Sequence, residues 1–462
     1  MAGLRFYGCW ARVAQPIHAQ EGGEIEIFGT SRLKMLRQSS HLRIQPHAVA
    51  HSIILLIVLL SSAGLPYQTF GKDYETPEPR TIEAALMPEF RTSPHDRIEE
   101  PVQHDGYMHT YTVDTDYGVF LAQSDAMLRR LRLELSTIAD LRERYVAGVA
   151  AESAVKVVMK PVYALGRLTS APADTLMGIP RGVYRMVESA ITGSFRDAGP
   201  YEDSGMKSVV QVSAYKRRIA AYYHVDVYSS NPILQLELDR VAWASLAGYT
   251  TTFAMLLVPV PNPLPLALVS LNSVEVLNRA LEEQGPDDLR LFNLRNLRSM
   301  GVSDELAEKF LDHPHYSPRH QTIIVSCLQA LSQAKRRDRF VTVALNASSE
   351  EEALSYQHAA ELLKAYDEQV LPILEITMLG RFPLGRSKER SAFLPAPIDY
   401  CIWTQKTEAM FDRLSAAIRH RKRNARIEVW FTGTVSPRAR RELLDRRIVV
   451  KEGMDREIQL AD

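Results

Sequence analysis

The chain has few cysteines, no net charge and none of the common catalytic signatures. Three cysteines in 462 residues exclude a small disulfide-stapled scaffold and a zinc module built on Cys pairs. Cys9 falls in an N-terminal extension. Cys327 and Cys401 remain, either as a pair in an oxidising compartment or as two separate buried thiols. Lys and Arg number 55 against 55 Asp and Glu, a formal net charge of +0. That balance gives no electrostatic case for nucleic acid as a partner. The sequence contains no H-E-x-x-H, G-x-G-x-x-G, Walker lysine or G-x-S-x-G, so no metal, nucleotide or nucleophile site is announced by motif. It also has no internal repeat at solenoid spacing. What it does have is 46% hydrophobic residues, normal for a globular protein, and enough length for two or three domains.

An apolar stretch at 53–60 sets the expected compartment. Lys34, Arg37 and Arg43 precede it, and Ser61 and Ala63 follow, the order of an export signal with a small-x-small cleavage site near Ala63. The alternative is an uncleaved anchor at 48–65. A spanning helix needs about 20 apolar residues, and His51 and Pro66 bracket a shorter window. Met35 is the expected start of an ordinary basic n-region, so residues before it are left out of the fold reading.

The remaining chain reads as α+β and predominantly helical. Residues 1–71 are the extension and signal, and 72–105, rich in Pro and charge, an extended linker. Residues 106–285 are a hairpin plus helical domain. The hairpin at 107–122 alternates β-branched and aromatic residues around an Asp114-Thr115-Asp116 turn. Ser124 then caps a helix. Between 150 and 194, basic residues mixed with Val, Met and Tyr fit either an interfacial membrane helix or ordinary amphipathic core helices. Within an uncharged gap after Arg240, prolines alternate through 256–266. They forbid a spanning helix, because each removes a backbone donor, so a buried, partly extended segment is expected.

Residues 286–367 form a helical region. Ser317-Pro318 within it, like Asn231-Pro232 before it and Ser436-Pro437 after it, reads as N-cap plus first-turn proline. Residues 340–345 fit a strand or a buried helix. Residues 368–454 alternate strand and helix (373–378, 398–403, 407–418, 426–431, 436–446, 448–450), which predicts a small C-terminal α/β unit with a parallel pair. A tail follows at 455–462.

Two places hold residues with chemistry. Asp312, His313, His315 and His320 combine imidazoles with a carboxylate at short spacing, a candidate zinc set; the simpler reading is a helix-entry loop with solvated histidines. Thr432, Gly433, Thr434 and Ser436 lie between a strand and a helix, where α/β proteins bind ligands; the simpler reading is a capped turn. The basic tract at 419–426 lacks interleaved aromatics and reads as a solvated helix end. No catalytic residue is assigned. The expected function is that of an exported, bacterial-type envelope protein that binds a partner or the membrane surface without catalysis. The alternative is an exported, metal-dependent hydrolase using residues 313–320.

Overall fold

The computed structural model describes residues 74–151, 210–246, 274–388, 391–420, 425–458 and 460–461. The expected export signal, most of the basic-apolar region at 150–194 and the prolyl segment at 256–266 lie outside the described residues. The fold is mixed α and β with helix in about half of what is described, and the described residues from 75 onward belong to one compact unit.

Residues 75–105, expected as a linker, carry helix α1 (Ile82–Ala85) and strands β1 (Asp96–Ile98) and β2 (Gln103–His104). Elements of two to four residues are too short to show periodicity, which is why the stretch reads as linker. Both strands pair antiparallel with β3 (His109–Thr115), and β3 forms the expected hairpin with β4 (Gly118–Ala122). The turn falls at Asp116-Tyr117, because Thr115 pairs with Gly118. Gly118 has φ +115°, a conformation that only glycine adopts without strain.

Helix α2 (Asp125–Ala151) starts at Ser124, whose Oγ accepts from the Met127 N–H at 3.0 Å. It packs with α3 (Val210–Tyr222) and α4 (Pro232–Leu246) around Ile138, Leu141, Ile219, Leu234 and Leu238. Asn231 caps α4, its Oδ1 accepting from Ile233 and Leu234. Six further helices follow: α5 (Val274–Glu283), α6 (Pro286–Ser299), α7 (Asp304–Leu311), α8 (Pro318–Ala330), α9 (Asp338–Ala344) and α10 (Glu350–Gln369). The segment at 340–345 is therefore helix, with Phe340, Val341, Val343 and Ala344 buried.

The C-terminal part holds β5 (Ile373–Leu379), β6 (Phe382–Ser387), β7 (Ala392–Ala396), β8 (Tyr400–Cys401), α11 (Gln405–Arg419), β9 (Ile427–Phe431), β10 (Thr434–Val435), α12 (Pro437–Asp445), β11 (Ile448–Lys451) and α13 (Met454–Glu457). The main sheet runs β11-β9-β7-β6-β5. Its β11, β9 and β7 are parallel, and β7, β6 and β5 pair antiparallel. The expected strand–helix–strand piece is β9–α12–β11.

The strand expected at 398–403 shrinks to β8, which pairs with β10 instead. The sheet strand is β7, hidden in the sequence by Pro395. A proline is tolerated there because β6 pairs β7 only at Phe393 and Ala392, so Pro395 lies beyond that ladder and no partner asks for its N–H.

Burial explains why this sheet is the centre of the main core. Tyr366 of α10 stacks on Phe393 at 4.1 Å between centroids, and Trp430 meets both rings edge-on at 5.4 and 5.1 Å. Trp430 is fully buried, and its Nε1 donates to Glu428 Oε1 at 2.8 Å. The N-terminal strands are stitched to this sheet by backbone. The N–H groups of Asp399 and Tyr400 both donate to the Tyr107 carbonyl, and that of Ile402 to Gly106. Glu75 Oε2 accepts from the Trp403 N–H and the Ser436 hydroxyl, each at 2.6 Å. Cys327 and Cys401 are separate, free and buried, and burial pushes both thiols well above their usual range.

Candidate functional site

Strand β3 and the start of α2, neighbours in the chain, meet a segment 290 positions further on over the carboxyl end of β7. Alternation along β3 puts His109, Tyr111 and Val113 on its buried face. Asp125 is the first residue of α2. Asp399 sits in the turn between β7 and β8. The three side chains offer ligand atoms that all lie within 4.8 Å of one another. His109 Nδ1 is 2.8 Å from Asp125 Oδ1 and 4.0 Å from Asp399 Oδ2. The Tyr111 hydroxyl donates to Asp125 Oδ1 at 2.5 Å, and the His109 backbone N–H donates to Asp399 Oδ2 at 3.0 Å. His109 is 2% exposed and Asp399 8%.

The electrostatics follow from this crowding. Burial alone penalises a charged imidazole. The hydrogen bond and charge of Asp125, with the charge of Asp399, outweigh it and raise His109 above its usual range. Burial, then the like charge of Asp125, pushes Asp399 well above the carboxylate range. Tyr111 is raised for the same reasons. The cluster is thus an acid-rich centre whose two carboxylates share one place and attract a cation or protons. His109 Nε2 is buried and has no hydrogen-bond partner among the described residues, a nitrogen left over once Nδ1 is engaged.

The cluster forms one wall of a cavity of about 80 Å³. Gly433 and Thr434 line the same cavity. Of the four residues expected to bind a ligand at the β9–α12 turn, these two face the cavity and the other two do not line it. Thr432 and Ser436 are spent on structure: Thr432 Oγ1 donates to the Ile398 carbonyl, and Ser436 Oγ caps α12 by accepting from Ala439. Gly433 is required there, because a Cβ would lie 1.9 Å from the Asp399 carbonyl oxygen. Its N–H donates to Ile398, and that of Thr434 to Asp399. This turn therefore holds the Asp399 turn in place.

The set at 312–320 is not brought together. Asp312 is 66% exposed and pairs with Arg290 at 2.9 Å. His313 Nε2 meets the Leu345 carbonyl at 3.2 Å, and His313 Nδ1 accepts from the His315 N–H. His320 is buried inside the capping box of α8, where Nδ1 accepts from the Ser317 N–H and Ser317 Oγ from the His320 N–H. Among the described residues, the only grouping of three or more metal-competent side chains is His109, Asp125 and Asp399.

Sequence reasoning missed all three. His109 is spaced by two from Tyr111 and Val113 in a recognised strand, which was a usable signal. Asp399 directly follows an apolar run at 392–398, an acid at a buried strand's end. Asp125 reads as an ordinary first-turn acid. No known protein family, curated protein or solved structure matches this chain.

Proposed function

We propose that this protein is a metal-dependent enzyme of hydrolase type, with a divalent cation of the zinc or manganese class held by His109, Asp125 and Asp399. The observation that carries the reading is the convergence of one imidazole and two carboxylates, at mutual distances an ion can bridge, on the wall of a cavity. One nitrogen and two carboxylate oxygens suit borderline divalent ions, and three protein ligands leave coordination positions open for water or substrate. Such an ion polarises a bound oxygen and lowers the pKa of its water. Tyr111 and the His109 backbone N–H, hydrogen-bonded to the two carboxylates, orient them as outer partners of a metal centre do.

Export belongs to the same proposal, since the apolar stretch at 53–60 gives the chain a signal-like start. Among the described residues no helix is long and apolar enough to cross a membrane. A fusion of residues 35–76 to a reporter active only outside the cytoplasm tests export, and silence of the intact fusion overturns it.

Metal analysis of the purified full chain tests the centre. One zinc or manganese ion per chain, lost in both His109→Ala and Asp399→Asn, is expected. Substoichiometric metal, or metal retained in both variants, sinks the assignment.

A further inference from the structure

Four arginines line the cavity beside the proposed metal centre: Arg80, Arg129, Arg132 and Arg456. Two of them are spent. Arg132 holds Asp96 through Nε and Nη2, and Nη1 donates to the Phe90 carbonyl. Arg129 pairs with Asp455 at 3.3 Å. Arg80 and Arg456 have no carboxylate within ion-pair distance among the described residues. Arg456 is exposed at the rim. The Arg80 guanidinium carbon lies over the Tyr400 ring, 3.7 Å from its centroid, with Nη2 donating to the Ala84 carbonyl. Its charge reaches His104 and His109, opposing the protonation of both.

A second feature points the same way. Arg80 Nε is buried without a hydrogen-bond partner, and so is His109 Nε2, and both residues line this one cavity. A buried N–H without an acceptor costs about 1–3 kcal/mol. A buried N–H donor on a guanidinium without a carboxylate partner, in a small cavity, calls for an acceptor-rich anion. A planar guanidinium beside a metal ion is suited to a phosphoryl group, whose several oxygens can meet both at once.

We infer that the cavity recognises a phosphoryl group, of a phosphomonoester or of free phosphate, through Arg80 and Arg456. This rests on reading the cavity as the working site and names its substrate class. It does not need the metal to be present.

The test is calorimetric titration of the full chain with inorganic phosphate, with phenyl phosphate and with acetate at matched ionic strength. Each is run on metal-stripped and on zinc- or manganese-loaded protein. Phosphate or phenyl phosphate is expected to bind both forms, more tightly with metal, and acetate at least about tenfold more weakly. Phenyl phosphate binding more tightly identifies an ester as the source, and inorganic phosphate binding more tightly identifies the free ion. Arg80→Met should weaken binding about tenfold or more and Arg456→Met about threefold or more, each equivalent to losing part of a charge-assisted hydrogen bond. Arg456 is exposed, so its variant keeps the test open if Arg80→Met fails to fold.

No binding of either phosphate in either form overturns the inference, as does wild-type binding in both variants or acetate binding as well as phosphate. Metal uptake without phosphate binding leaves the metal reading standing and removes this one. Phosphate binding retained in Asp399→Asn, with no metal bound in any form, does the reverse.

Discussion

His109 and His320 are both buried imidazoles, and each has one nitrogen held by a neighbour close in the chain or in space. They differ in the sign of what surrounds them. His320 has its Nδ1 accepting from the Ser317 N–H, with Arg130 Nη1 3.5 Å from Nε2. Because Nδ1 accepts, a neutral ring carries its proton on Nε2 and cannot also accept from Arg130. That contact is proximity of charge, not a hydrogen bond. Burial, then Arg130, Arg319 and His358, drive the ring well below its usual pKa. His109 lies between two carboxylates and is driven the other way. Of the two, His320 belongs to the segment that looks metal-like in sequence. Three histidines within eight positions count for little when one ring caps a helix and another bonds a loop carbonyl. What makes a cation site is anions converging in space, here Asp125 and Asp399, gathered around His109, which lies 290 positions from Asp399.

The comparison breaks most visibly at Arg130. This buried guanidinium faces Glu350 at 3.0 Å, Glu134 at 3.4 Å and Asp226 at 3.6 Å. Ser229 and Asn231 satisfy the rest of the Glu134 carboxylate. Arg130→Met strands those carboxylates without a cation and should cost about 3–5 kcal/mol in urea unfolding, with metal content unchanged. A loss under about 1 kcal/mol shows the network to be dispensable; loss of metal shows the two charge clusters to be coupled.

Asp399→Asn should behave in the opposite way. It relieves like-charge crowding while leaving an oxygen for the His109 N–H, so stability should move by no more than about 1 kcal/mol. Metal affinity should fall at least about tenfold, the smallest loss expected when even an outer partner is removed. Severe destabilisation with metal retained would invert the roles assigned to the two clusters.

A pH series sharpens the contrast. Burial, with smaller contributions from the charges of His109 and Arg80 and opposed by the Tyr400 carbonyl and Asp105, lowers His104 to about 4. The unfolded chain titrates near 6.5. Between about 6.5 and about 4 the unfolded state therefore binds a proton that the folded state refuses, and stability falls as pH falls. His320 contributes in the same direction. Melting temperature of wild type minus His104→Gln, and minus His320→Gln, should decline through that window and be flat above pH 7. A difference that is constant with pH would place both rings in a charged folded state.

The smallest effect belongs to the caps. Ser436→Ala should cost about 1 kcal/mol, because Ser436 Oγ accepts from the Ala439 N–H at 2.9 Å. Metal content should be unchanged, since Ser436 does not line the cavity. An unchanged unfolding midpoint would mean that water replaces the cap.

Much of the fold was legible in the sequence, because it is written in local rules. The N-caps at Ser124, Asn231, Ser317 and Ser436, the hairpin of β3 and β4, and β9–α12–β11 with a buried Trp430 all follow from neighbours within a few positions. β7 escaped, since a proline that is harmless at the end of a ladder looks the same in sequence as one that breaks it. The linker reading of 72–105 escaped because short strands carry no period. The turn at 432–436 was recognised as a place, but its partner acid on the neighbouring strand end was not.

The sequence by itself determined where many of the helices and strands begin and which faces they bury. Those are set by backbone hydrogen bonding and apolar spacing over a few residues. Only the tertiary structure decided the site. Whether His109 meets Asp125 and Asp399, or solvent, depends on how β3 docks against the carboxyl end of β7. That docking is fixed by contacts such as Asp399 to the Tyr107 carbonyl and Gly433 against Asp399. Coulomb interaction depends on distance in space, and no spacing along the chain encodes it.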